Sequence, residues 1–290
     1  ILIMKYDQLI NKKYHILQRN KITKDKERFI YNEIANRLNN SLDGINLKIN
    51  DCLEIGYSSQ NISKYLIKNF KNINLTNTDI SKDLIHNYKN LNHCIYLDHD
   101  DWNTQKKKYD LIISNFYLHL TNNFDILLKN INQSLNKNGF FVASLPGRNC
   151  FLELKNTMIE ADINLYGGAF KRFNTTFSIE YINKILKKNN FKIPLIDIDT
   201  FYLKYKKFNK LLNDIRYLAN TNITNNRKKK FENKNYFNEV EKLYWNKYSN
   251  NNEIILQLEI IFISGWKEDI SQQQPLNPGE AKISLKDALK

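Results

Sequence analysis

The first polar residues suited to chemistry follow two apolar segments with the spacing of a nucleoside-binding site. Leu53-Glu54-Ile55 runs into the turn Gly56-Tyr57, and Asp79 ends the next apolar segment along the chain. A tight glycine turn after a parallel strand lets the backbone approach a ligand, and an acid at the end of the neighbouring strand accepts hydrogen bonds from ribose hydroxyls. Gly56 and Asp79 are therefore candidate nucleoside ligands, with a simple helix N-cap as the alternative role for Asp79.

A second acidic group follows the third predicted strand, where Asp100 and Asp101 precede Trp102. This combination suits an adenine, because a carboxylate accepts a hydrogen bond from the exocyclic amine while an apolar ring packs against the base. His99 and Asp101 also form a His-x-Asp pair, a pattern found in iron sites that use two histidines and one carboxylate. We favour the adenine contact over a metal site, because such pairs are common in sequences.

His119 is the candidate general base. It follows the fourth predicted strand in the segment Asn115-Phe116-Tyr117-Leu118-His119, and an unperturbed imidazole exchanges a proton near neutral pH. The alternative is a histidine that packs at the end of a strand and bonds to the backbone. Transfer of a methyl group depends mainly on alignment of the reacting atoms, so a base is not a requirement for that chemistry.

The elements that must position these residues alternate between strand and helix. Short apolar segments, separated by segments of helical periodicity, predict strands at 47–55, 73–80, 94–97, 109–114 and 139–145. Alternation at this spacing predicts a mostly parallel, doubly wound α/β sheet. The second half predicts helices over 151–165 and 179–189 and strands over 191–200 and 253–266. We therefore divide the chain into an N-terminal helical segment, an α/β core, a helical insert and a last strand with its tail, at 1–44, 45–200, 201–252 and 253–290.

Composition excludes several classes of protein. The 290 residues carry a net charge of +14, but lysine is dispersed, and the dense run Arg227-Lys228-Lys229-Lys230 lies in an asparagine-rich stretch. We expect a solvated loop there and no nucleic-acid interface. Cys52, Cys94 and Cys150 are scattered, which fits a reducing compartment such as the cytoplasm and no zinc cluster. The chain has no run of about 18 apolar residues and hence no predicted transmembrane helix.

The ordered motifs resemble the class I S-adenosylmethionine-dependent methyltransferases. They are E-I-G, T-D-I-S, D-H-D-D-W, Y-D-L-I-I-S-N-F-Y-L-H-L and L-N-K-N-G-F-F-V-A-S. The second half is similar to one branch, which contains the mitochondrial complex I assembly factor 5 and its bacterial relatives, and is distantly similar to the malonyl-carrier-protein methyltransferase of biotin synthesis. That similarity rests on G-R-N before E-L-K, on Gly167-Gly168 with Arg172, and on S-G-W, S-Q-Q-Q-P-L and P-G-E-A near the end.

The resemblance implies a class I fold with a seven-stranded sheet, helices before the first strand and a helical insert before the last. It also implies S-adenosylmethionine as the cofactor. The expected binding residues lie in or beside the strand ends, at Glu54, Gly56, Tyr57, Asp79, Ile80, Asp100, Asp101, Trp102 and Asn115. Gln60 stands where the family has another glycine, a change expected either to strain a turn of positive φ or to crowd the cofactor. Tyr57 lies beside the loop, where it would either block the site or stack on the ligand.

Three functions follow from the resemblance. The first is modification of a protein side chain during assembly of respiratory complex I, by methylation or by arginine hydroxylation, in the cytoplasm of a bacterium or the mitochondrial matrix. The second is methylation of a small or carrier-bound carboxylate. The third is a non-catalytic assembly chaperone, which the altered glycine loop favours. A complex I partner also implies peripheral contact with a membrane.

Substrate choice in a shared fold is usually set by appended elements. The N-terminal helices and the insert are candidates to cover the substrate pocket, through Tyr6, Arg19, Arg172, Tyr202, Tyr205, Arg216 and Tyr217. For most of the aromatic residues we favour the alternative, that they pack the insert on the sheet. Arg172 follows two glycines, which suggests a mobile loop, and its guanidinium would hold a carboxylate or a carbonyl. Arg172 is therefore the second catalytic candidate beside His119.

Overall fold

A computed structural model describes residues 9–22, 28–43, 45, 47–57, 60–88, 93–102, 107–218, 221–270 and 272. The helices are α1 Lys12–Asn20, α2 Phe29–Asn40, α3 Gln60–Asn69, α4 Lys82–Tyr88, α5 Phe124–Ser134, α6 Leu152–Tyr166, α7 Ile179–Lys188, α8 Phe208–Tyr217 and α9 Lys234–Tyr248. The strands are β1 Asp51–Ile55, β2 Asn74–Asp79, β3 His93–Tyr96, β4 Tyr109–Asn115, β5 Leu135–Pro146, β6 Phe191–Tyr205, β7 Ser249–Asn250 and β8 Glu253–Lys267.

The strands form one twisted sheet in the order β3-β2-β1-β4-β5-β8-β6. Neighbours from β3 to β5 run parallel, while β8 lies antiparallel between β5 and β6. The predicted seven-stranded α/β sheet is therefore confirmed, and the two-residue β7 adds a short pairing to β8. No helix among the described residues has the length and apolar character that a membrane crossing requires.

The parallel half of the sheet is built from strands buried on both faces. In β4 the apolar residues Leu111, Ile112 and Ile113 are fully buried, as expected where helices cover both sides of a parallel strand. Register then fixes the site: Ile55 pairs with Thr78, so Gly56 and Asp79 leave neighbouring strands at the same edge. The amides of Gly56 and Tyr57 both donate to the carbonyl of Thr78, at 2.9 Å each.

The antiparallel end of the sheet is longer than predicted. Strand β6 continues to Tyr205, so the predicted end at Thr200 was wrong, and the helical insert begins beyond the strand. The reason is the pairing of β6 with β8, which runs from Phe191 with Lys267 to Tyr205 with Ile254. The predicted tail falls mostly outside the described residues.

The extended hairpin supports the helical insert. Buried residues of β8, among them Leu256 and Leu258, pack in one apolar cluster with Leu211 of α8 and Tyr244 of α9. The Tyr244 hydroxyl also donates to the carbonyl of Ile255 at 2.7 Å. The insert and the sheet thus share a core.

Replacement of Leu256 by alanine is expected to lower the free energy of unfolding by about 2–5 kcal/mol, because it removes a fully buried side chain and leaves a cavity. Leu256 is 0% exposed. Urea denaturation followed by circular dichroism measures the change. The matched control is Ile255→Ala on the other, half-buried face of β8. Equal losses for the two variants would contradict the shared core.

Candidate functional site

The turn after β1 has the backbone of a ligand-binding glycine loop, but a tyrosine covers it. Gly56 has φ +80°, a conformation that favours glycine. A Cβ added at Gly56 would lie 2.1 Å from the Cγ of Tyr117, so the Tyr117 ring packs directly against the glycine. Tyr117 itself is 1% exposed. The face on which the backbone would approach a ligand is therefore occupied by an aromatic side chain.

Asp79 lies at the predicted strand end, where both its oxygens already have partners. Oδ2 accepts hydrogen bonds from Nη2 and Nε of Arg19, at 2.5 and 3.0 Å. Oδ1 accepts from the amide of Ser81 at 2.8 Å. Arg19 and Asp79 are each 1% exposed, so this ion pair is fully removed from solvent. The acceptor at the N-terminus of α4 is Ser81, whose Oγ accepts from the amide of Leu84 at 2.9 Å. Asp79 bonds to the amide of Ser81 and does not cap the helix directly, and its role as a ribose ligand stays a prediction.

The guanidinium of Arg19 is held on three sides. Besides Asp79, its Nη2 donates to the carbonyl of Tyr57 at 2.9 Å, and its Cζ lies 4.9 Å from the centroid of the Tyr117 ring. Burial by itself would lower the pKa of Arg19, but the Asp79 carboxylate raises it, so the group stays charged. A buried carboxylate, a carbonyl and an aromatic face together form a guanidinium site.

S-Adenosylmethionine does not fit this arrangement. Its ribose hydroxyls would need the Asp79 oxygen that Arg19 occupies, and its approach to Gly56 would meet the Tyr117 ring. Nor is Tyr57 free to move aside easily: it is 2% exposed and packs with Ile22 and Leu84. The residues of a nucleoside site are brought together, but the chain's own side chains fill the space between them.

The predicted adenine contacts have other surroundings in this structure. Asp100 is turned toward the loop after β4, where it accepts hydrogen bonds from the hydroxyl of Thr121 and from the amide of Asn122. Asp101 is exposed. Trp102 is 7% exposed and packs in the apolar core. In this structure Asp100 therefore binds the loop after β4, and Asp101 faces the solvent.

Three other predicted ligands are buried structural neighbours. Asn115 links β4 to β5 and α2. Its Oδ1 accepts a hydrogen bond from the Ser144 hydroxyl at 2.8 Å, and its Nδ2 donates to the carbonyl of Tyr31 at 3.1 Å. Ile80 is 2% exposed. Glu54 is 1% exposed, and burial raises its pKa from near 4.5 to about 8.

His119 borders a separate cavity at the carboxyl ends of β4 and β5. The half-open cavity has a volume of about 20 Å³ and is lined by His119, Pro146, Cys150, Phe151, Lys155, Phe173, Asn174 and Thr176. Two of the surrounding residues, Phe116 and Phe151, have φ of 51° and 62°, a strained conformation that clusters at functional sites. The His119 ring lies 5.3 Å from that of Phe116.

Lys155 gives the cavity its charge. Its Nζ donates to the carbonyl of Arg148 at 3.1 Å and lies 5.7 Å from the Phe173 ring. Burial lowers the pKa of Lys155, and the lining residues given above include no carboxylate. This cavity therefore suits a neutral or anionic group better than a guanidinium.

Arg172 lies in a network of ion pairs. It pairs with Asp162 through both Nε and Nη2, and its Nη1 donates to Glu232 at 2.6 Å. Asp162 is 0% exposed. Arg172 was predicted to hold a carboxylate or a carbonyl of the substrate. Its partners are instead two carboxylates of the chain itself, Asp162 of α6 and Glu232 before α9. This arrangement favours a structural role for Arg172.

Sequence reasoning missed how Arg19, Tyr117 and Lys155 are used. Arg19 was a candidate lid residue, and it lies instead among the residues of the predicted nucleoside site. Tyr6 is outside the described residues. Within the part of the chain that is described, no group of three or more metal-type ligands occurs. His99 of the His-x-Asp pair contacts the carbonyl of Leu120 and the hydroxyl of Tyr117, at 2.7 and 3.2 Å.

Comparisons with known proteins agree with the fold. A family model described as a methyltransferase domain matches residues 23–194. The mitochondrial arginine-hydroxylase NDUFAF5 of Dictyostelium discoideum is 33% identical over 175 residues, which is 60% of this chain and 40% of that protein. The malonyl-[acyl-carrier protein] O-methyltransferase of Xylella fastidiosa is 23% identical over 157 residues, which is 54% of this chain and 51% of that enzyme.

This chain therefore spans about half the length, or less, of these two relatives. A crystal structure of a protein described as a methyltransferase, from Bacillus halodurans C-125, superposes with a TM-score of 0.54 at 10% identity. The superposition covers 82% of this chain and 100% of that one. This likeness confirms the predicted class I methyltransferase fold.

Replacement of Arg172 by alanine is expected to lower the free energy of unfolding by about 3–5 kcal/mol, because it leaves the fully buried Asp162 without its main partner. Urea denaturation measures the change. Arg148→Ala removes an exposed arginine and serves as the control. If Arg172→Ala is as stable as that control, the network does not hold α6 in place.

The raised pKa of Glu54 predicts a pH-dependent stability. The folded state keeps the Glu54 proton up to about pH 8, whereas the unfolded chain releases it near pH 4.5. The free energy of unfolding should therefore fall as pH rises between these values, by up to about 1.4 kcal/mol per pH unit. Glu54→Gln should remove that part of the slope in denaturation at several pH values. Glu268→Gln replaces an exposed glutamate and should leave the pH slope unchanged. Identical slopes in the Glu54 and Glu268 variants would contradict the burial of Glu54.

Proposed function

Because this chain belongs to the methyltransferase-domain family, we propose that it acts on a protein side chain during assembly of respiratory complex I. The similarity to arginine-hydroxylase NDUFAF5 supports the complex I role. The similarity covers less than half of that relative, so its activity and partner enter here as parts of the proposal. The same relative is mitochondrial, and we place the chain in the mitochondrial matrix or in the cytoplasm of a bacterium.

The observation that carries the proposal is the cavity beside His119. Its volume of about 20 Å³ is room for about one water molecule. We propose that a side chain of a docked protein widens this cavity and contacts His119. His119 on its wall is the residue we propose to exchange a proton with the bound group.

The cofactor of the proposed reaction is S-adenosylmethionine, by analogy with the family. Glu54, Gly56, Tyr57, Asp79 and Ile80 surround the place where its nucleoside would bind. Arg19 and Tyr117 fill that place, so binding requires a rearrangement.

A second candidate function is methylation of a carboxylate. The specific support is Lys155, a cation on a cavity whose lining residues include no acid. A carboxylate acceptor would pair with Lys155, whereas the guanidinium of an arginine would be repelled by it. The Xylella relative, an O-methyltransferase of a malonyl group by its name, agrees with this candidate.

Loss of the chain is expected to leave complex I incompletely assembled, since one subunit would lack its modification. The measurement is a gene disruption in the source cell, with native gels and intact-mass spectrometry of complex I subunits. The missing mass should be one oxygen atom for hydroxylation or one methylene for methylation. Normal complex I with unchanged subunit masses would contradict the proposal.

His119→Ala is expected not to restore the modification in that strain, because the proposed proton-exchanging group is lost. The matched control is His86→Ala, an exposed histidine of α4, which should restore it. Both variants should accumulate as folded protein. Full restoration by His119→Ala would remove His119 from the site.

A further inference from the structure

Helix α1 contributes the side chain that occupies the nucleoside site, and this contact distinguishes the chain from a simple cofactor-binding protein. Arg19 is the last basic residue of α1, and its guanidinium lies on the carboxylate, the carbonyl and the ring described above. Ribose hydroxyls and the Arg19 guanidinium would need the same oxygen of Asp79. A nucleoside and the docked helix therefore exclude one another.

A second residue of α1 lies in the same space. His15 is 1% exposed, and its ring centroid lies 5.5 Å from that of Tyr117. Its Nε2 is buried without a hydrogen-bond partner among the described residues, and burial lowers its pKa well below the ordinary value, which keeps the imidazole neutral. A buried polar atom left unsatisfied is a cost, so the docked position of α1 combines a strong ion pair with an unfavourable contact.

Helix α1 is attached along its length and at its ends. Along the helix, Lys12 pairs with Asp98, and the Tyr14 ring lies against Arg227. Before the helix, the amide of Asn11 donates to the carbonyl of Ile223, and the carbonyl of Leu9 accepts from the amide of Asn225. At its other end, the Asn20 side chain donates to the carboxylate of Asp83 on α4, a contact on the surface. Asn20 Oδ1 also accepts from the Ser81 hydroxyl at 2.5 Å. The contact between Asn20 and Asp83 can be weakened by a substitution that replaces neither Arg19 nor Asp79.

From these contacts we propose that α1 is an internal plug of the adenosyl site, with Arg19 as the group that closes it. Adenosyl ligands then bind only to molecules in which α1 has moved away from Asp79 and Tyr117. The proposal rests on the cofactor assigned under the proposed function and not on the role in complex I. The observed dissociation constant is then the dissociation constant of the open form divided by the fractional population of that form.

The direct test is titration calorimetry with S-adenosylhomocysteine on the wild-type chain and on Arg19→Ala. The variant should bind at least about tenfold more tightly than the wild type, because it no longer competes for Asp79. Arg37→Ala is the matched control: Arg37 is an arginine of the next helix that also pairs with carboxylates, Glu33 and Asp199. It should bind like the wild type. Arg19→Ala with Asp79→Ala added should lose the gain.

A second variant keeps the test decisive if Arg19→Ala does not fold. Asn20→Asp places a like charge beside Asp83 at the surface and leaves Arg19 and Asp79 in place. It should raise the affinity for S-adenosylhomocysteine by loosening the helix. Circular dichroism establishes that each variant is folded.

Hydrogen exchange on the wild-type chain tests the displacement of α1 independently. In saturating S-adenosylhomocysteine the amides of α1 should exchange faster than in the free protein, because the bound form has released the helix. The proposal is overturned if ligand binds while α1 keeps its protection, or if the folded variants bind no more tightly than the wild type. A defect in complex I assembly is measured in cells and fails or succeeds independently of these results.

Discussion

The buried ion pair between Arg19 and Asp79 is the interaction on which the state of the site depends. Both side chains are removed from solvent, and loss of one partner from such a pair costs about 3–5 kcal/mol. A ligand that displaces Arg19 must therefore supply new hydrogen bonds to Asp79 and let the guanidinium reach water or another anion. This single contact links the N-terminal helix to the edge of the sheet where a nucleoside would bind.

The topology of the sheet explains why the positions of Gly56 and Asp79 could be predicted from the sequence. Apolar segments of strand length, separated by helical ones, fix the order of β1 and β2, and parallel pairing then brings Gly56 beside Asp79. These positions follow from local pattern and from chain direction alone. The end of β6 was less predictable, since its last residues form a strand only because β8 runs alongside them.

The contents of the site depend on contacts that sequence does not encode locally. Arg19 lies 60 positions before Asp79, and in sequence it is one more polar residue of an amphipathic helix. Asp100 was expected to face a ligand, but Thr121 and Asn122 bind it instead. The packing of α1 and of the loop after β4 therefore determines which groups bind each carboxylate. The family resemblance predicted the fold and the positions of the site residues, but not that Arg19 and Tyr117 would fill the space between them.

The closed site also relates the proposed functions to one another. With α1 docked, Arg19 and Tyr117 leave no room for an adenosyl group, which agrees with the hypothesis of a non-catalytic chaperone. With α1 released, Gly56 and Asp79 become available to a nucleoside, as modification of a protein would need. Protein NMR of the Arg19 Nε–H tests this account most directly, with Arg19→Lys to assign the signal and the exposed Arg148 as reference. The account predicts a slowly exchanging Arg19 signal in the free protein that is lost when S-adenosylhomocysteine binds. Exchange as fast as that of Arg148, or a signal unchanged by bound ligand, would contradict it.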